Sequence, residues 1–166
     1  MIVPTYDQVD QLPRHLELTV PAEFIDENGH VNIGRYLELG GMALWQRCQR
    51  ELGMPEDYIE QRGLSTFTAE HHLTYHAELL EGDEVSVRVR LVARSAKVLH
   101  AVCLIVDETH RRLACTMETT AVHVDMVERR PVDFPDDVIA LIDAGLAADD
   151  RPWPAPLCGA MGVRRR

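Results

Sequence analysis

The chain sets one long helical stretch between a first strand and four further strand-like stretches, and that order leaves few ways to fold. Over residues 35–52, Leu37, Leu44 and Cys48 share one helical face, with Gly41 and Trp45 beside them. Gly53 and Pro55 stop the helix. Ahead of it, Leu16, Leu18 and Val20 alternate with His15, Glu17 and Thr19, the period of a strand, which Pro21 ends. After it, a short helix or turn is expected over 56–61, then strands over 65–79, 85–91, 98–106 and 113–124. Turns at Gly82–Asp83, 94–97 and 107–111 are short, so the four strands are expected to pair as an antiparallel meander. The stretch 98–106 is apolar on both faces and belongs in the middle of the sheet. A lone helix must bury its apolar face somewhere, and the concave side of a curved sheet is the surface available. The expected fold is α+β: a long central helix wrapped by a curved, five-stranded antiparallel sheet.

Gly40 and Gly41 sit inside the helix, where each costs about 1 kcal/mol relative to Ala. Small residues are expected where the helix backbone approaches the sheet; a tolerated weak spot is the alternative. Pro131, Phe134 and Pro135 lead to a last helix over 138–146, with Asp136 and Asp137 at its positive end. Residues 1–14 read as a lead-in arm. Pro152, Pro154, Pro156 and Gly159 mark 147–166 as a mobile tail, leaving one domain over 1–146.

A length of 166 residues suits one core. The formal charge of −10 repels nucleic acid and anionic membrane surfaces, and the run Arg164, Arg165, Arg166 is too short to change that. Cys48, Cys103, Cys115 and Cys158 show no paired spacing, which points to buried thiols in a reduced, cytoplasmic protein. No segment reaches the roughly 18 apolar residues of a membrane span. Residues 1–14 lack the charged-then-apolar pattern of a secretion signal.

The segment from Phe24 to Tyr36 packs Asp26, His30 and Asn32 into seven residues immediately before the long helix. A helix start offers unpaired N–H groups and the positive end of the macrodipole, which can hold a carbonyl oxygen as it gains charge. Asp26 suits a nucleophile or a base that activates water, and Asn32 an orienting group for substrate or water. His30 suits acyl binding or bracing of the loop. The same residues also fit plain turn chemistry: Asp26 a turn former, Asn32 an N-cap, His30 a packed loop residue.

The pattern Asp26-x-x-Gly29-His30-Val31-Asn32-x-x-x-Tyr36 resembles the active-site signature of hotdog-fold acyl-CoA thioesterases of the 4-hydroxybenzoyl-CoA thioesterase-like superfamily. Tyr75-x-x-Glu78-Leu79-x-x-Gly82-Asp83 resembles that family's second-strand and turn pattern, and Ala114-Cys115-Thr116 its last strand. The exit His123-Val124-Asp125, with Arg130 and Phe134-Pro135, resembles one branch, thioesterases of carnitine and betaine metabolism acting on a trimethylammonium acyl group. The resemblance covers about 15–142. It implies a helix wrapped by a sheet, a homodimer or dimer of dimers with sites between subunits, and hydrolysis of acyl-CoA with no metal or redox cofactor. Carried over, Asp26 is the catalytic carboxylate, the amides near Ile33 and Gly34 are oxyanion donors, and His30 and Asn32 are signature residues whose roles vary between branches.

Further candidates surround this loop. Tyr36 and Trp45 suit walls of an acyl pocket, with Glu70 a possible acidic partner for a cationic acyl group. Glu70 and His72 lie on a strand that the resemblance implies helps complete a partner's site. Arg88, Arg90, Arg94 and Lys97 are candidates for the coenzyme A phosphates. His71, His72, His76 and His123 show no metal-ligand spacing, so no metal is expected. Two other functions remain open: an acyl-thioester binding protein without turnover, and a hotdog dehydratase, which pairs an Asp with a His further along the chain.

Overall fold

The computed structural model describes residues 2–163; Arg164, Arg165 and Arg166 lie outside it. Helix α1 (Tyr6–Val9) opens the chain, followed by strand β1 (Leu16–Thr19). Then come α2 (Ile33–Glu51), α3 (Tyr58–Arg62), β2 (Leu64–Tyr75), β3 (Glu84–Arg94), β4 (Val98–Asp107) and β5 (Arg112–Asp125). A two-residue β6 (Arg130–Pro131) and α4 (Asp136–Ala148) close the sequence of elements. All strand pairs are antiparallel, in the order β1-β3-β4-β5-β2, with β6 added to β5.

β4 lies centrally, as its two apolar faces require. The meander, however, holds only for β3, β4 and β5. β2 does not pair with β3 across the Gly82 turn; it pairs with β5 at the far edge, Leu73 opposite Met117. The reason lies in residues 76–83. The N–H groups of His76 and Ala77 both donate to Ala114 O, which ends the β2 ladder. The chain then crosses the N-terminal end of α2. Leu79 is fully buried there, its N–H donating to the Tyr36 hydroxyl and its carbonyl accepting from Val31 N–H.

α2 begins at Ile33, two residues earlier than its apolar period indicates, because Asn32 caps it. It packs on the concave face against Val87, Val89, Ala101, Cys103 and Met117. The two helix glycines differ. A Cβ on Gly40 would fall 2.6 Å from Met117 Cε, and the Gly40 carbonyl accepts from the Cys103 thiol, so close approach explains it. A Cβ on Gly41 meets nothing within 4 Å. Gly41→Ala is therefore expected to raise stability by about 1 kcal/mol, and Gly40→Val to lower it by about 1–3 kcal/mol. Thermal melting of the two variants tests this; equal effects would remove the distinction.

The convex face is also apolar along β4, at Val102, Leu104 and Val106, and it is covered by both ends of the chain. Val9 and Leu12 come from the N-terminal arm and Trp153 from beyond α4. Residues 147–163 are thus not placed as a detached tail, which corrects the boundary expected at 146. Ala147 and Ala148 finish α4, Asp149 and Trp153 are buried, and the Arg90 guanidinium sits 4.4 Å over the Trp153 ring. Without this cover a central strand would leave one apolar face in water. No helix among the described residues is long and apolar enough to cross a membrane.

Candidate active site

The loop ahead of α2 is a narrow hairpin closed by a bridge between Ile25 and Val31. Asp26 N–H donates to His30 O and Gly29 N–H to Asp26 O, with Gly29 at φ +81°. That positive φ suits glycine and lets the chain reverse in so few residues. Asp26 Oδ1 accepts from Asn28 N–H at 2.9 Å, an Asx turn that fixes the carboxylate. Val31 is fully buried and tied to the strap through Leu79 O. Asn32 N–H donates to Phe24 O at 2.8 Å. The loop is thus held from both sides, and its polar side chains stay at the surface.

Asn32 joins the carboxylate to the helix. Its Oδ1 accepts from Gly34 N–H at 2.9 Å and its Nδ2 lies 3.4 Å from Asp26 Oδ2. The cap expected as the plain alternative is therefore present, and it uses the Gly34 donor. Ile33 N–H opens the helix, where no intrahelical acceptor exists, and no described residue accepts from it. Of the two expected oxyanion donors, Ile33 N–H is uncommitted and Gly34 N–H is not.

Asp26 and His30 open on different sides of the α2 start. Asp26, Asn32, Gly34 and Arg35 line a depression of about 460 Å³. His30, Ile33, Tyr36, Tyr75 and His76 line another of about 320 Å³. In the second, His30 Nδ1 lies 3.2 Å from Val31 O. Tyr36 packs edge-on to Tyr75 at 5.2 Å. Burial pushes the Tyr36 hydroxyl up to about 12, so it stays protonated while accepting from Leu79 N–H. Burial also lowers the pKa of His76, which favours its neutral ring.

Trp45 lines a third, narrower cavity of about 160 Å³ with Leu44, Cys48, His71 and Met117. The sequence pattern points to Glu70 and His72 on β2, but His71 is the residue that faces this cavity. A bulge between Thr68 and Glu70 explains the exchange. Thr66 and Thr68 face α2; beyond the bulge the alternation restarts, so His71 and Leu73 face α2 while Glu70 and His72 lie on the convex side.

The expected phosphate-binding cations are paired. Arg94 makes two 2.5 Å bonds to the Asp143 carboxylate, and Lys97 Nζ lies 3.5 Å from Asp133. Arg88 is fully buried between Asp10 and Glu108, and Arg90 donates to the carbonyls of Asp149 and Trp153. None of the four is an unpaired surface cation.

A family model described as the thioesterase-like superfamily matches residues 20–142, a span that contains the Asp26–Asn32 loop and all strands from β2 to β5. The chain belongs to the thioesterase-like superfamily. The helix-in-sheet architecture is that of the hotdog members of this superfamily, and thioester hydrolysis is the chemistry the family is named for. A betainyl-CoA thioesterase of Pseudomonas aeruginosa is 31% identical over 141 residues, which cover 84% of this chain and 87% of that protein. An L-carnitine dehydrogenase/betainyl-CoA thioesterase of Agrobacterium fabrum is 31% identical over 147 residues, 89% of this chain, but the chain spans only 30% of that longer protein. A Staphylococcus aureus protein solved in complex with CoA shares the fold, with a TM-score of 0.80 at 24% identity, over 93% of this chain and 97% of that one.

Proposed function

We propose that this superfamily member is an acyl-CoA thioesterase that hydrolyses an acyl-CoA to the free acid and CoA. The observation that carries the reading is the Asp26 carboxylate held beside Asn32 at the start of α2, next to the uncommitted Ile33 N–H. A thioester carbonyl set against Ile33 N–H is polarised as its oxygen gains charge. Asp26 then either attacks the carbonyl carbon, giving an anhydride that water opens, or takes a proton from an attacking water. In both routes the C–S bond breaks, the sulfur leaves as the CoA thiol, and the water oxygen ends in the acid. No metal or redox group enters either route. Asp26 and His30 line separate cavities, which argues against the Asp–His pairing of a dehydratase.

We infer that two chains complete the site. β2 is an edge strand with one side unpaired, and Ile33, Leu37, Trp45, Phe67 and Tyr75 are exposed on α2 and β2. Exposed apolar side chains beside an open strand edge favour a second copy. A homodimer, or a dimer of dimers, brings another chain's groups over the Asp26 depression. Four free cysteines, three of them buried, fit a reducing, cytoplasmic setting.

Betainyl-CoA is the acyl-CoA to test first. Two relatives carry that substrate in their names, and the exposed indole of Trp45 offers the ring face that a trimethylammonium group favours. Tyr36 and Glu70 do not join Trp45 in one cavity of the single chain. Free-thiol release is measured across short, branched, aromatic and betainyl CoA esters. Turnover of at least one ester, with betainyl-CoA the fastest, is expected. Tight binding across the panel with no thiol released would instead identify an acyl-thioester binding protein.

A further inference from the structure

The convex face of the sheet carries a chemical cluster on the side away from α2 and Asp26. His72 on β2 stands directly opposite Glu118 on β5. His100 on β4 is diagonal to Glu118, with Nε2 2.8 Å from Oε1. The segment after α4 lies over this patch. Cys158 N–H donates to Glu118 Oε2 at 2.7 Å, and a Cβ on Gly162 would fall 3.9 Å from the His100 ring. Glu118 is only 1% exposed, so its carboxylate is buried beneath chain that carries a thiol. One donor atom each from His72, Glu118 and Cys158 lies within 4.8 Å of the other two.

We propose that His72, Glu118 and Cys158 form a site for a zinc-like divalent transition-metal ion that fastens the C-terminal segment to the sheet. An imidazole, a carboxylate and a thiolate are the donor set that a borderline-soft ion takes. Around one tetrahedral ion with bonds of about 2.0–2.3 Å, such donors lie about 3.3–3.8 Å apart. All three donors already lie within 4.8 Å, so they close by at most about 1–1.5 Å, which side-chain rotation of the exposed His72 and the half-buried Cys158 supplies. His100 supports the site by holding Glu118, as hydrogen bonds to metal-bound carboxylates do. On binding, the Cys158 thiol gives its proton to solvent and its sulfur becomes the thiolate ligand. A fourth position is left for water, on the exposed His72 side.

A second group, Asp83, Asp107 and His110, has similar spacing but different surroundings. Asp107 already accepts from the His110 ring and from Arg112 Nε, both at 2.8 Å. The guanidinium supplies the positive charge there and repels a cation. Among the described residues, Glu118 pairs with His100 and with no Arg or Lys.

The ligands come from β2, β5 and the C-terminal segment, so no short spacing in the sequence reveals them. The site faces away from Asp26 and is independent of the proposed hydrolysis. The test uses the full chain, stripped with a chelator and titrated with zinc ion by calorimetry. One zinc per chain is expected. Cobalt(II) in its place is expected to give a thiolate-to-cobalt charge-transfer band that Cys158→Ser removes. His72→Ala and Cys158→Ser are each expected to weaken zinc binding by about 100-fold or more, beyond what losing a merely supporting residue costs. His110→Ala is expected to leave it unchanged. Neither His72 nor Cys158 is a core residue, so both variants keep the fold. Absence of saturable one-to-one binding, binding that keeps its affinity in both variants, or loss of binding in His110→Ala overturns the proposal.

Discussion

Asp26→Asn is expected to leave the protein folded and to cut thioester hydrolysis by about 100- to 10,000-fold. The substitution keeps shape and removes charge. An Asn oxygen still accepts from Asn28 N–H, so the turn that holds the side chain survives. Its other end contacts Asn32 Nδ2 only at 3.4 Å, too long to carry much of the loop's stability. The loop remains anchored by backbone bonds through Val31 to Leu79 and through Asn32 to Phe24. What is lost is the nucleophile or base. A circular dichroism melt matching the parent, together with kcat reduced by this factor on every ester turned over, is the expected pair of results. An Asp26→Asn enzyme with full activity would falsify the mechanism and return the loop to turn chemistry alone.

The parts of this protein legible in the sequence are those set by local periodicity. α2, β1 and β3 to β5 follow their apolar spacing, and the Asp26–Asn32 loop is visible because its three side chains sit within seven residues of a capped helix. What depends on distant contacts is not legible. A five-residue gap between stretches ending at Leu79 and starting at Val85 reads as a hairpin turn. Burial of Leu79 under the α2 start makes it a strap that carries β2 to the other edge. The bulge near Ala69 shifts the facing of every later β2 residue by one, which exchanges His71 for Glu70 and His72. The proline-rich end reads as loose by composition. Its placement follows instead from Trp153 and from the second apolar face of β4, a demand visible in the sequence but not tied there to any one segment.

The same end of the chain yields the largest expected stability effect. Asp149→Ala is expected to destabilise the fold by about 3–5 kcal/mol. Asp149 sits at the C-cap of α4, where a carboxylate faces the negative end of the helix dipole, so its position must be supported by other partners. Those partners are Arg47 Nη1 and Leu91 N–H, both donating to Oδ2 at 2.6 Å. Arg47 is 2% exposed on α2 and also donates to Val89 O. The ion pair therefore joins the central helix, β3 and the end of α4 at one buried point. Removing Asp149 strips the Leu91 N–H of its acceptor and leaves the half-exposed Glu51 carboxylate, at 3.2 Å, as the one ion-pair partner of the Arg47 guanidinium among the described residues. Breaking one side of a buried pair costs more than the pair contributes, because the remaining charge stays out of water. Arg47→Met combined with Asp149→Leu is accordingly expected to recover most of the loss. Urea unfolding of the two variants measures both effects, with an unchanged slope showing that the folded state is still compact. A loss below about 1 kcal/mol for Asp149→Ala would mean that the chain beyond α4 is not docked at this pair, and the anchoring of residues 149–163 would then rest on the Arg90 bonds, Trp153 and Cys158.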